Sequence, residues 1–594
     1  MSRLKNPAGR LRLLRAAPAL TLLLFIGPLL AGLLGTWLPA LGFLPSLGGT
    51  GFSLAPSLAV LSHPSLPKAL AVTVISGLGA TVLCLLLVVF ITAYWQESRF
   101  FGLLRRIALP LLAIPHAALA IGLAFLIAPS GFFLRLLSPW ATGFDLPPDW
   151  LLLQDPWGLS LLLGLVVKEF PFLLLMTLGA QGQIDCQARL ATARSLGYRP
   201  ATAWLKAVLP AVYPQIRLPI YAVLAYSLSV VDMALILGPQ TPPSLAVLIF
   251  RWFNDPDLTL RFQAAAGASL LLGLIVVIIL AWRVGEKLVA RGGRRWLAAG
   301  QRGGRQVPGR LLAGLAVAGL SGLGLLSLVI LALWSFTRRW RYPDSLPSTW
   351  TLLNWQQQGG ELATVGATTL LIGLLTAGAA LALVVACLEN EQRQGLHPSS
   401  RGMWLLYLPL LVPQISFFFG VQVLLVWLRI DGGWLAVIWS HLLFSLPYVF
   451  LTLADPYRAL DSRYSRTALC LGASPNRIFW RIKLPLLKRP LAVAFAVGFS
   501  VSVAQYLPTL FAGGGRIATL TSEAVALSAG ADRRVVALYA LLQALLPLLL
   551  FMFSACLPVR PGLRRRQSWA AWLARLPRRM APRQTSAARP PDVS

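Results

Sequence analysis

The sequence predicts an all-α polytopic membrane protein of about twelve transmembrane helices, arranged as two parallel pseudo-symmetric six-helix repeats. Three observations predict it. Only 12% of the 594 residues are charged, 57% are hydrophobic, and the mean hydropathy is +0.71; a soluble globular chain carries about twice that share of charge. The apolar residues gather into runs long enough for a bilayer core of about 30 Å, which takes roughly 20 helical residues. The second half of the chain also repeats signals of the first at nearly constant spacing.

Taken in order, the apolar runs between charged or Pro/Gly-rich breaks predict helices at 16–38, 69–93, 106–128, 156–179, 212–237 and 264–282. A second set follows at 311–334, 364–388, 403–428, 434–453, 491–511 and 535–557. Arg3, Lys5, Arg10, Arg12 and Arg15 precede the first run, as in a signal peptide, but no small-residue cleavage site closes it, so it is read as a retained helix. By this map about 40 Lys and Arg fall in the N-terminus, alternate loops and tail, and about 11 in the other loops. The richest stretches are 283–310, with Arg283, Lys287, Arg291, Arg294, Arg295, Arg302, Arg305 and Arg310, and the tail, with Arg564, Arg565, Arg566, Arg578 and Arg579. This asymmetry places both termini in the cytoplasm. The net charge of +32 is thus an orientation signal against anionic lipid, and no nucleic-acid partner is expected.

The repeat is legible in matched punctuation. Pro171 precedes Asp185 by 14 residues, and Pro447 precedes Asp461 by the same 14. Two loops of one pattern follow, ATARSLGYRPATAWLKAVLP and RTALCLGASPNRIFWRIKLP. Gly197 and Gly472 each lie 13 residues before the closing Pro210 and Pro485; Pro200 and Pro475 each stand three residues after the glycine. LPLLAIP at 109–115 is echoed by LPLLVP at 408–413, and Ser227-x-Ser229-x-x-Asp232 by Ser500-x-Ser502-x-x-Gln505. The domain plan that results has an N-terminal segment with the first helix (1–67), a first repeat (68–282), a basic linker (283–310), an extra helix and outer loop (311–363), a second repeat (364–557) and a basic tail (558–594) expected to be disordered.

Each repeated loop reads as a helix, a glycine turn and a second short helix. Gly197 and Gly472 suit the left-handed residue that ends a helix, and Pro200 and Pro475 suit the first turn of the next, where a missing N–H costs nothing. An aromatic follows seven residues after the glycine (Trp204, Phe479) and a base after nine (Lys206, Arg481), before Leu209-Pro210 and Leu484-Pro485. One such helix alone would read as an amphipathic surface helix; two with equal spacing read as a docking element for a cytoplasmic partner.

Those loops resemble the EAA loop of binding-protein-dependent ABC importer permeases of the MetI-like type, in which a glycine is followed at fixed distance by Ile-x-Leu-Pro. The second loop keeps Gly472, Ile482, Leu484 and Pro485; the first keeps Gly197, Leu209 and Pro210 with Ala207 at the isoleucine position. Neither keeps the leading glutamate, whose places hold Ala191 and Arg466. The segments SVVDMALILGP and SVAQYLPTLFAGGGRIATLT are similar to the fifth-helix region of fused permeases of the thiamine and ferric-iron group. The resemblance implies two copies of a separate ATPase, one on each loop, and a solute-binding protein on the outer face.

Polar groups inside spans are functional candidates by default. Ser229 and Asp232, with Ser502 and Gln505, are the expected lining of a central path; the alternative is that the serines allow close helix packing. Lys168 and Glu169 are the other intramembrane charges, adjacent and so on different faces of a helix. No GxxxxGK[ST] loop occurs, none of the seven lysines follows a glycine, and no HExxH or Gly-x-Ser-x-Gly is present. An enzyme is therefore not expected, nor is a cofactor or metal. Cysteines 84, 186, 387, 470 and 556 share no CxxC spacing. The rival readings are a proton-coupled secondary transporter, using Asp232 or Glu169, and a membrane-embedded enzyme.

Overall fold

The computed structural model describes residues 7–303, 307–396, 400–530 and 532–557. The tail 558–594, Arg3 and Lys5 lie outside the described residues. Ten described helices are long and apolar enough to cross a membrane, and as many as twelve when each of two bent pairs is taken as one span. Strand is confined, among the described residues, to a small ribbon in which Thr337–Arg339 pairs antiparallel with Thr349–Trp350. The protein is a polytopic all-α membrane protein.

Several spans expected to be continuous are broken, each for a local reason. The run 106–128 divides into Arg99–Ala113 and His116–Ile127. Pro115 has no N–H to donate and holds Ile114 extended at φ −66, ψ 123. The run 403–428 divides in the same way at Pro413, and Leu405–Leu411 meets Ile415–Trp427 at 104°. The run 212–237 divides into Leu209–Ser229 and Asp232–Leu237, with Val230 extended at φ −62, ψ 134. The run 491–511 divides into Lys488–Val503 and Leu507–Gly513, where Pro508 opens the second piece. Broken backbone at membrane depth survives only where protein or a wet cavity satisfies it, and these four breaks converge on one cavity.

Other elements run past their predicted ends. Leu260–Ala298 is one helix of 39 residues, so the expected linker is helical as far as Ala298. At about 1.5 Å per residue it is roughly twice as long as the bilayer core is thick. Leu353–Gln394 is likewise a single helix of 42 residues. Two short helices, Leu245–Phe253 and Leu520–Ser528, occupy stretches where none was predicted. Each has its first backbone N–H bound by a threonine of a distant helix: Leu245 N to Thr73 Oγ1 and Leu520 N to Thr369 Oγ1, both at 2.9 Å.

The two halves exchange helices. Pro7–Ala40 packs along Ile415–Trp427, and Val307–Ser335 packs along His116–Ile127. Small residues make both crossings: a Cβ on Gly32 would stand 2.5 Å from the Phe417 carbonyl oxygen, and one on Gly122 the same 2.5 Å from that of Ser327. Gly35 faces Gly420 at the first crossing. Such approach supplies the van der Waals contact that holds helices together where lipid removes the hydrophobic drive.

Candidate functional site: a cavity between the halves and two matched glycine-turn segments

A cavity of ≈ 230 Å³ lies between the halves, lined by residues of both. Three of the four residues expected on a central path face it: Ser229, Asp232 and Gln505. They stand at helix breaks, Asp232 in the first turn of Asp232–Leu237 and Gln505 between Val503 and Leu507. Ser502 turns away instead. Its hydroxyl meets His441 Nδ1 at 2.8 Å, while His441 Nε2 meets Thr509 Oγ1 at 2.9 Å, so Ser502 ties two helices together. Ser500 lines the cavity in its place and donates to the Ala113 carbonyl of the other half at 3.4 Å.

The lining residues of Asp, Glu, Lys and His type come from the first half. Lys168, Glu169 and His116 join Asp232 on the wall. Lys168 Nζ donates to the carbonyls of Leu112 (2.9 Å) and Ile114 (2.5 Å), which the Pro115 break leaves without helical partners. A cation at a helix C-terminus also suits the end of its dipole. Glu169 pairs with His116 at 3.5 Å, and the His116 ring lies 4.7 Å from that of Tyr226. The sequence separates the two neighbouring charges, as expected, but gives no sign of these partners; a histidine directly after the span-breaking Pro115 was the available clue. In the second half Gln414 follows Pro413 as His116 follows Pro115, and its amide donates to Gln505 Oε1 at 3.4 Å. One wall therefore carries charge and the other neutral amides, with Tyr226, Tyr448 and Tyr506 around them.

The two glycine loops fold alike. Cys186–Ser195 begins with the Asp185 side chain accepting from Ala188 N, and Ser462–Cys470 with Asp461 accepting from Arg463 N. Both helices close in the Schellman arrangement. Gly197 (φ +83) donates to Arg194 O and Tyr198 to Ala193 O; Gly472 (φ +76) donates to Leu469 O and Ala473 to Ala468 O. Pro200 and Pro475 then open one-turn helices, the second capped by Ser474 through Arg477 N. Each runs through a π-turn, Trp204–Val208 or Phe479–Lys483, into a helix starting at Leu209-Pro210 or Leu484-Pro485.

The surfaces of these segments differ from expectation. Trp204 is 1% exposed and Lys206 is also buried, so neither is a surface knob or flank in this structure. For Lys206 the cover is the end of the long helix Leu260–Ala298 and the residues just after it. Lys206 Nζ donates to the carbonyls of Trp296 (3.0 Å) and Gln301 (2.9 Å) and lies 4.4 Å from the Trp296 ring centre. Arg199 N donates to Arg302 O at 3.1 Å, closing the same clasp. In the second segment Phe479 and Ile482 are half-buried and Arg481 is exposed. The exposed aromatic of that π-turn is Trp480, at 67%, and Leu471 before the glycine is exposed at 82%. The seven-residue spacing pointed one residue short of that tryptophan.

Comparison with known proteins agrees with this architecture. The family described as binding-protein-dependent transport system inner membrane component matches residues 378–560. The chain is 34% identical to the inner membrane ABC transporter permease protein YnjC of Escherichia coli (strain K12) over 517 residues, which is 85% of this chain and 92% of that protein. It is 30% identical over 180 residues to the spermidine/putrescine transport system permease protein PotC of the same organism, covering 30% of this chain and 63% of PotC. It is 29% identical over 170 residues to the molybdenum transport system permease protein ModB of Mycobacterium tuberculosis (strain ATCC 25618 / H37Rv), covering 26% and 61%. The chain belongs to the family of inner-membrane permease components of binding-protein-dependent ABC transport systems.

Proposed function

We propose that this chain is a fused, two-repeat importer permease in which residues 68–282 and 364–557 together enclose the translocation path. Members of the family are transport subunits rather than enzymes, and they work with ATPase and binding-protein partners. In the proposal, one ATPase copy docks on the segment around Gly197 and Pro200 and another on the segment around Gly472 and Pro475. The binding protein delivers solute to the opposite face, and both termini lie in the cytoplasm. The fused arrangement, and the kinship with thiamine and ferric-iron permeases drawn from the resemblance above, are part of the same proposal.

The observation that carries it is the pair of Schellman-closed segments with matching π-turns, each leading toward the cavity: the first straight into Leu209–Ser229, the second through Leu484–Leu486 and a 75° bend into Lys488–Val503. From Leu209 the chain runs to Ser229 and Asp232; from Leu484 it runs to Ser500 and Gln505. A push on the first segment reaches the cavity wall along one helix, and a push on the second crosses the bend at Leu487 on its way there. ATP-driven closure of the partner would tilt both helices and alternate the access of the cavity.

The test is co-purification of the ATPase with the permease, and its ATP hydrolysis, for wild type against Gly197→Pro with Gly472→Pro. Both glycines hold positive φ, which proline cannot adopt. Loss of the complex with the permease still inserted supports the docking role. A wild type that binds no ATPase sinks it and brings forward the proton-coupled transporter, with Asp232 and Glu169 as its carboxylates.

A further inference from the structure

The two coupling segments are fastened to the membrane bundle by different chemistry. Under the second segment lies a buried ionic hub centred on Glu389, near the end of helix Leu353–Gln394 and 3% exposed. Its Oε2 accepts from Lys483 Nζ at 2.7 Å and from the Tyr457 hydroxyl at 2.6 Å, and its Oε1 accepts from Arg393 Nε at 2.7 Å. Lys483 is the last residue of the π-turn before Leu484-Pro485, and it also donates to Gln392 Oε1 at 2.8 Å. Gln392 in turn donates to the Tyr457 carbonyl at 3.1 Å, and Arg393 Nη1 donates to Asn476 Oδ1 at 3.0 Å. One carboxylate thus joins three elements: the coupling segment, the helix Leu353–Gln394 and the helix Trp434–Arg458.

The first half has no ion at the matching buried positions; the ion pair it does make to its segment, Arg194 with Glu97 at 2.8 Å, lies on the exposed rim. Aligning Thr73 with Thr369, Pro171 with Pro447 and Pro210 with Pro485 puts Ala93, Gln181 and Val208 where Glu389, Tyr457 and Lys483 stand. All three are buried. That segment is held by the exposed pair of Arg194 with Glu97 and, from the linker side, by Lys206 on the carbonyls of Trp296 and Gln301 and by Arg199 on Arg302. Apolar contact resists separation but lets surfaces slide, whereas a carboxylate with three directed donors in a low-dielectric interior fixes orientation as well. Phe444, Tyr448 and Thr452 of the helix that carries Tyr457 line the cavity.

We propose that Glu389 is a positioning residue that locks the second coupling segment to Trp434–Arg458, so that movement of the segment becomes movement of the cavity wall. This rests on the coupling role proposed above. It makes the two strokes unequal: the second is transmitted rigidly through the hub, the first through Leu209–Ser229 and the linker clasp.

The test uses the full chain in lipid with its ATPase. Spin labels replace Met176 and Thr452, which face the cavity from equivalent places in the two halves, with the exposed Cys470 and Cys556 changed to serine. The readout is the distance change on adding ATP and vanadate, alongside ATP hydrolysis and Tm. Glu389→Gln is expected to keep the ATPase bound while the population that changes distance falls about tenfold. The double variant Glu389→Ala with Lys483→Val copies the first half and removes both buried charges together, which proteins tolerate better than removing one. It leaves the buried Tyr457 hydroxyl without its acceptor, so it is expected to insert with a modestly lowered Tm and to retain the defect. A double variant that moves like wild type overturns the proposal, as does Glu389→Gln with an unchanged response. If Glu389→Gln fails to insert, the double variant decides alone. Failure of the coupling role itself looks different, because the wild type then binds no ATPase.

Discussion

Asp155 sits just before the helix Leu159–Gly182, and its carboxylate accepts from the backbone N–H of Trp157, Leu159 and Ser160 at 3.2, 2.9 and 2.8 Å and from the Ser160 hydroxyl at 2.9 Å. Burial alone would push its pKa up, but these donors outweigh burial and hold it below the usual carboxylate value. A depressed folded pKa means that the contribution to stability is complete above the unfolded pKa of about 3.9 and is lost as pH falls through the folded value. Asp155→Ala is therefore expected to cost about 1 kcal/mol at neutral pH, as a lowered Tm in detergent, and to narrow its gap from wild type in strong acid. Lys168→Met leaves the Leu112 and Ile114 carbonyls unpaired and is expected to cost about 3 kcal/mol by the same measurement. Much of the site was legible at this scale because charge inside an apolar run is conspicuous: Asp232, Lys168 and Glu169 stand out in the sequence. What was not legible is which way a side chain turns. The sequence pointed to Ser502, but His441 claims its hydroxyl and Ser500 lines the cavity.

At the scale of elements, the hydropathy of a span carries no mark of a break inside it. Ala113-Ile114-Pro115 and Leu411-Val412-Pro413 are as apolar as their surroundings, so the repeated LPLL motif read as a helix interior although each proline ends one helix and begins another. Leu245–Phe253 and Leu520–Ser528, at nine residues each, are too short for any periodicity argument that would separate them from loop. The glycine loops were legible because their signals are punctuation rather than hydropathy: Asp185, Gly197 and Pro200 each do one conformational job at a fixed place. The helix crossings give the firmest prediction. Gly420→Leu pushes a side chain into the backbone of Gly32 and is expected to cost several kcal/mol, about 3 by the usual range for overpacking. It would be seen as release of Pro7–Ala40 to limited proteolysis, while Gly179→Leu, where a Cβ meets nothing within 4 Å, leaves the crossing intact.

Over the whole molecule, the halves hold each other by more than the chain that joins them. Pro7–Ala40 belongs by sequence to the first half and packs on the second; Val307–Ser335 follows the linker and packs back on the first. A protease site introduced after Gly303 is therefore expected to leave both fragments co-purifying after cleavage. Separation of the fragments in mild detergent would contradict the exchange. The clasp on the first segment also depends on residues 296–302, so deleting them is expected to destabilise that segment before it loosens the second, which is anchored at Glu389. Hydrogen exchange at Trp204–Val208 and Phe479–Lys483 reads the two separately.

The Gly32–Gly420 contact also sets a schedule for synthesis. The partners lie 388 residues apart, counted as 420 minus 32, and at about 5–20 residues per second the ribosome needs roughly 20–80 s to make the second after the first. During that wait the first helix is in the bilayer with its glycine face bare, a site that any other small-residue helix could occupy. The nascent protein is thus most exposed to wrong partners before Ile415–Trp427 emerges, and the insertion machinery has reason to retain the first helix until then.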